Sequence, residues 1–201
     1  MPRIAGQIDE RKREAILDAA SELLAEKGLA VSMEEIARRA GVSKQTLYNR
    51  FASKTDIARA LAERRSDLIT APLRTTEEPE VVLTALARAM LDKAGEPDQK
   101  TSMRGLALIS PHAPELASAV YDAGPGESLR RLAQWLAEQD RRGMIRVPDP
   151  ALAAEMFTGM VLGHTNLKLV LGVDAGVTNI PGRASETARR FLRAFATMSE
   201  G

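Results

Sequence analysis

Apolar residues recur at helical spacing along almost the whole chain, and no segment shows a convincing period-2 alternation. That periodicity restricts the chain to an all-α fold. Ala, Leu, Arg and Glu dominate, all good helix formers, while aromatics make up only 3% of residues. So few aromatics argue against a sandwich or barrel, and against a stacking platform for single-stranded nucleic acid. At 201 residues, 44% apolar and 27% charged, the sequence can bury one large core or two small ones.

Punctuation divides the helical pattern. In 11–27, Ile16, Ala19, Ala20, Leu23 and Leu24 form one stripe, and Gly28 follows as a stop. Ser32 with Glu35 three residues on is a capping box that opens a helix over 33–40, stopped by Gly41. Ser43 caps a short helix over 44–50 whose inward residue is Leu47, flanked by Val42 and Phe51, and Ser53 opens a fourth over 54–69. The two-proline stretch 72–79 reads as a connector between an N-terminal unit, 8–70, and a C-terminal unit, 71–201. Further helices are expected over 79–94, 98–110, 113–122, 127–142, 149–171 and 181–198.

The absence of cysteine removes disulfides, thiolate catalysis and Cys-held metal, and two histidines, His112 and His164, are too few for a His-rich metal site. With no Gly-rich phosphate loop and no GxSxG elbow either, an enzyme is a poor reading, and neither cofactor nor metal is expected. No apolar run approaches the roughly 18 to 20 residues that span a bilayer, so no membrane partner and a cytoplasmic location are expected.

The net charge is only +1, so any site for a polyanion must be local. Between Glu35 and Asp56 stand five cations (Arg38, Arg39, Lys44, Arg50, Lys54) and no acid. The same stretch has the length and punctuation of a helix-turn-helix: a φ-permissive Gly41 at the turn, Ile36, Ala37, Val42 and Leu47 to lock two crossing helices, and an outward polar face. That face offers Ser43, Lys44, Gln45, Thr46, Tyr48, Asn49 and Arg50, donors and acceptors suited to base edges and phosphates. Ser32, Val42 and Lys54 complete the candidate DNA-binding set, with Lys54 as a phosphate clamp. The bland reading of each, a solvated or packing residue, stays open, most of all for Arg38 and Arg39.

The stretch ILDAASELLAEKGLAVSMEEIARRAGVSKQTLYNRFASKTDIARAL, residues 16–61, resembles the N-terminal region of the TetR family of bacterial transcriptional repressors. Asn49-Arg50 departs from it, because the family more often places an aromatic or His before the Phe. Residues 114–163 are similar to the ligand-binding half of the AefR-like subgroup. The resemblance implies a homodimer paired through its last two long helices, a palindromic double-stranded DNA operator and release by a small-molecule effector. Candidate effector residues are Met90, Met103, Leu106, His112, Trp135, Met156, Phe157 and Met160; the four methionines, Trp135 and Phe157 make an adaptable apolar set that suits a hydrophobic molecule. Candidate dimer residues are Phe157, His164, Leu167, Phe191 and Phe195, although the same apolar side chains could close an intramolecular core. Two alternatives remain: an activator, and a helical small-molecule carrier that binds no operator.

Overall fold

The computed structural model describes residues 3–174 and 176–196, and gives side chains from residue 9 onward except at 29 and 97–100. Eleven α-helices follow one another among the described residues, with no strand: α1 Arg3–Lys27, α2 Met33–Arg39, α3 Lys44–Tyr48, α4 Lys54–Thr70, α5 Pro79–Gly95, α6 Pro97–Ile109, α7 Pro114–Tyr121, α8 Glu127–Arg141, α9 Pro150–Leu162, α10 Thr165–Leu171 and α11 Ile180–Ala194. Side-chain caps start several of them. Ser32, Ser43, Ser53, Asp149 and Asn179 each accept a backbone N–H from the first turn of the helix they precede. Proline opens α5, α6, α7 and α9, where its missing N–H leaves nothing unsatisfied.

Apolar faces are buried in two places. Ile16, Leu17, Ala20 and Leu23 of α1, Ile36 and Ala37 of α2, Leu47 of α3, Phe51, and Ile57 and Ala60 of α4 form the N-terminal core. Leu83, Leu86 and Leu91 of α5, Trp135 and Leu136 of α8, Phe157 of α9 and Phe191 of α11 form the other. Its centre is an edge-to-face pair, with the Phe157 and Phe191 rings 5.1 Å apart at 77°. In this unit α5 lies along α11, and α8 along α9.

Helix α4 joins the two cores. Its first half contributes Ile57 and Ala60 to the head, and its second half packs on α8 and on the turn that precedes α8. Polar groups line that second contact. Ser66 and Ser128 hydroxyls are hydrogen-bonded at 2.9 Å. The Arg131 guanidinium reaches Asp67 at 2.5 Å, Thr70 at 3.0 Å and Glu127 at 2.6 Å.

Several boundaries differ from the sequence expectation. The helix expected over 149–171 is interrupted at Gly163, whose φ of 50° and ψ of −126° leave helical space, so α9 ends and α10 restarts two residues later. No proline marks the site, and only the missing Cβ makes that conformation cheap. The break expected at Gly124-Pro125-Gly126 is instead a π-helical turn, Asp122–Gly126, that carries α7 into α8. It fits because a Cβ on Gly124 would stand 3.3 Å from the Ala62 Cβ of α4. Finally, α1 starts eight residues before the expected 11–27 helix. The last helix, expected over 181–198, runs only Ile180–Ala194, and residues 197 and 198 lie outside the described residues.

Candidate nucleic-acid interface

Helix α2 is fixed at its start by reciprocal bonds: the Ser32 hydroxyl accepts from Glu35 N–H at 3.2 Å, and the Glu35 carboxylate accepts from Ser32 N–H at 2.9 Å. The Lys27 ammonium, 2.7 Å away, followed by the Ser32 groups, pulls the Glu35 carboxyl down to about 2. Gly41, at φ 66°, turns the chain, and Val42 N–H returns to Ala37 C=O at 3.0 Å. Val42 itself is half-buried and packs against the N-terminal core.

Helix α3 is short and would not survive alone. It is held from both ends. The Ser43 hydroxyl accepts from Thr46 N–H at 3.0 Å and is 2.8 Å from the Thr46 hydroxyl, while Phe51 N–H donates to Leu47 C=O at 2.9 Å. Leu47, fully buried, anchors it to α1, α2 and α4. With Leu47 inward, helical geometry turns Gln45, Tyr48 and Asn49 outward; these three are exposed, as is Lys44 at the start of the helix.

Charges on this face are balanced by neighbours. Lys44 pairs with Glu34 of α2 at 2.5 Å and lies 5.8 Å from the Tyr48 ring centroid. The Glu34 carboxylate holds the ammonium above its ordinary pKa, and Lys44 in turn holds Glu34 below its own. Arg39 is bound away from α3, to Glu22 and Glu26 of α1, both at 3.0 Å. Arg38 is exposed, as is Lys54 at the start of α4. Arg50 is drawn inward, with its guanidinium paired to Asp9 of α1. Sequence reasoning passed over Asp9 and Arg13, which line one cleft with Thr46, Asn49, Arg50 and Phe51. A contact between residues 41 apart leaves no local signal.

The remaining candidates are not gathered in one place. Trp135 and Phe157 are core residues, with Met90 packed beside them. Met103 and Leu106 are half-buried on α6, and His112 is exposed in the turn before α7. Met156 and Met160 are 50% and 42% exposed on the outer side of α9. Of the dimer candidates, Phe157 and Phe191 spend their whole surface inside the subunit and have none left for a partner. Phe195 is half-buried against Phe191, while His164 and Leu167 are exposed. Leu152, 53% exposed, shares the outer face of α9 with the two methionines at four-residue spacing, and Leu167 and Leu171, at 55% and 62%, repeat that spacing on α10. Leu152 and Leu171 were not singled out from sequence, because periodicity shows that a residue is apolar and not what covers it.

A capped helix, a glycine turn and a buried-leucine anchor that presents a polar second helix define a helix-turn-helix protein, a class that docks that helix in the major groove of duplex DNA. Residues 16–61 match the family model described as bacterial regulatory proteins, tetR family, and residues 81–197 match that of the AefR-like transcriptional repressor, C-terminal domain. The chain belongs to the TetR family. A crystal structure of a TetR-family transcriptional regulator from Mesorhizobium loti MAFF303099 superposes with a TM-score of 0.77 at 26% identity, over 94% of this chain and 98% of that one. The flavonoid-responsive regulator FrrA superposes with a TM-score of 0.67 at 31% identity, over 94% of this chain and 100% of its own. The HTH-type transcriptional activator FasR of Mycolicibacterium smegmatis is 39% identical over 89 residues, which is 42% of this chain and 40% of FasR. The chain spans between 40% and 63% of the length of the first curated relatives it matches. No helix among the described residues is long and apolar enough to cross a membrane.

Proposed function

We propose that this chain acts in the cytoplasm as a homodimeric transcriptional repressor that binds a palindromic operator and is released by a small apolar effector. The observation that carries the reading is α3 itself: a short helix pinned by Leu47 that spends its outward positions on Lys44, Gln45, Tyr48 and Asn49. Those side chains would read base edges, with Ser32, Ser43, Thr46, Arg50 and Lys54 serving the flanking phosphates and Val42 packing the turn. Residues 8–70 would form the DNA-binding unit and 71–201 the regulatory one.

Pairing of two subunits would use the apolar stripe of α9 and α10, with His164 and Leu167 at its middle. Two-fold symmetry then sets the recognition helices about 34–36 Å apart, one turn of DNA. For the effector we favour the region of α6 and α7. Every residue of α7 keeps some exposure despite its apolar composition, and Met103 and Leu106 of α6 are only half-buried. FrrA responds to flavonoids, and an aromatic or aliphatic molecule of that polarity would suit such loosely packed apolar walls, with Met90 and His112 at the margin.

The test is recovery of bound fragments from genomic DNA by the purified protein, followed by titration of the best site at two salt concentrations. A palindromic site whose affinity falls steeply with salt supports the reading, because Lys and Arg contacts release counterions. Affinity no better than for random duplex would move the carrier alternative forward. Since FasR is an activator, the position of the site relative to the promoter decides the sign of regulation.

A further inference from the structure

We infer that the cleft between the N-terminal half of α1 and the end of α3 is a seat for a DNA backbone phosphate, and that the Asp9 carboxylate is its built-in stand-in, displaced when duplex binds. The inference rests on the reading that α3 faces DNA. The cleft, of about 410 Å³, is lined by Asp9, Arg13, Thr46, Asn49, Arg50 and Phe51. It therefore opens beside the polar face of α3 and is continuous with it.

The side chain of Arg50 is only 16% exposed, against 68% for Asp9. Burying a guanidinium is costly unless its donors are used. Asp9 engages the outer nitrogen Nη2 through one oxygen, while Arg50 Nε is buried with no hydrogen-bond partner. Nε and one Nη form the edge that grips two oxygens of a carboxylate or phosphate at once. That edge is half used. A phosphodiester offers two anionic oxygens and can take both donors, which a singly engaged Asp9 does not.

The other charges around the cleft agree. Arg13, four residues from Asp9 on the same helix face, is tied to Glu14 at 3.2 Å and Glu10 at 3.9 Å rather than to Asp9. Among the described residues Asp9 is paired with Arg50, and its departure would leave two guanidinium groups beside an incoming anion. Phe51, 5% exposed, is the apolar member of the lining.

The test is a double-substitution cycle read by fluorescence anisotropy, with the fragment selected from genomic DNA and a random-sequence duplex of equal length as probes. D9N is expected to strengthen binding to both probes about two- to five-fold, because phosphate no longer has to break an ion pair of that strength. In an R50Q background the gain from D9N should vanish, and R50Q alone should lower the salt slope by about 1. Equal gains from D9N in both backgrounds would reduce its effect to a change in net charge and overturn the inference, as would a loss of affinity in D9N. R50K, which keeps the charge and loses the two-donor edge, guards against misfolding of R50Q and should behave as a partial loss. Thermal unfolding in inorganic phosphate at constant ionic strength separates the two phosphate sources. Stabilisation of the wild type but not R50Q, with no coupling in the DNA cycle, would make this a free-phosphate site and overturn the backbone seat. If K44A weakens operator binding while D9N and R50Q do nothing, only this inference fails. If no duplex is bound by the wild type, the DNA reading fails with it.

Discussion

Leu47 and its neighbours divide labour within a single turn of helix. Leu47 is fully buried among residues of α1, α2 and α4, so Leu47→Ala should cost about 2–5 kcal/mol and unfold the head, seen as a separate low-temperature transition in thermal unfolding. Lys44→Ala and Tyr48→Ala remove exposed groups and should leave that transition in place while weakening operator binding, measured by anisotropy. A matching loss of stability would end their assignment as contact residues. A second residue-scale effect concerns acid. Lys27 and then Ser32 hold the Glu35 carboxyl near 2 in the folded chain, and Arg130 and then Arg131 do the same for Glu127, against an ordinary value of 4.5. Because the folded pKa lies below the unfolded one, each carboxylate stabilises the fold in full above about pH 4.5 and ceases to as pH falls toward about 2. Thermal unfolding between pH 6 and 2.5 should show a steep loss across that window, and the slope should be shallower in E35Q and in E127Q.

At the scale of elements, what was legible in the sequence was what is local. Helical period and the serine caps placed α2, α3 and α4 nearly to the residue, because a capping box acts over three positions and needs no distant partner. The polar face of α3 was legible for the same reason, since one buried leucine fixes where its neighbours point. Junctions were harder. Gly124-Pro125-Gly126 carries every local sign of a stop, yet packing of Gly124 on Ala62 keeps the turn helical. Gly163 stands between two apolar segments that both keep helical spacing, so the period carried the expected helix through it despite the polar run His164-Thr165-Asn166. Gly163→Ala should destabilise the C-terminal unit by more than about 1 kcal/mol, because a Cβ strains at φ 50° and ψ −126°. Gly159→Ala, in the regular part of α9 with nothing within 4 Å of its Cβ position, is the matched control and should be neutral or stabilising in the same melt. The Asp9–Arg50 pair lay beyond the sequence, and the choice between core and seam for Phe157 and Phe191 stayed open in it, because each depends on which distant helix arrives to cover the residue.

Across the whole molecule, α4 ties the head to the C-terminal core through Ser66, Asp67 and Thr70, so the orientation of α3 follows that of α8. A two-headed grip on DNA then depends on how two such bodies are joined. The stripe of Leu152, Met156, Met160, Leu167 and Leu171 is the surface through which we propose they join, since it is apolar and stands uncovered in the single chain. Its exposure makes the idea separable from folding. Substituting Met156→Glu together with Leu167→Glu removes nothing from the core around Phe157 and Phe191, so the far-ultraviolet spectrum should stay that of the wild type. Sedimentation should show a monomer for the variant and a dimer for the wild type. Operator affinity should then fall by about 10²-fold or more, because the second head no longer binds at the effective concentration set by the first. Binding to half an operator should change little. An unchanged dimer in the doubly charged variant would place the seam elsewhere on the subunit. A monomer that kept full operator affinity would show instead that each head acts alone.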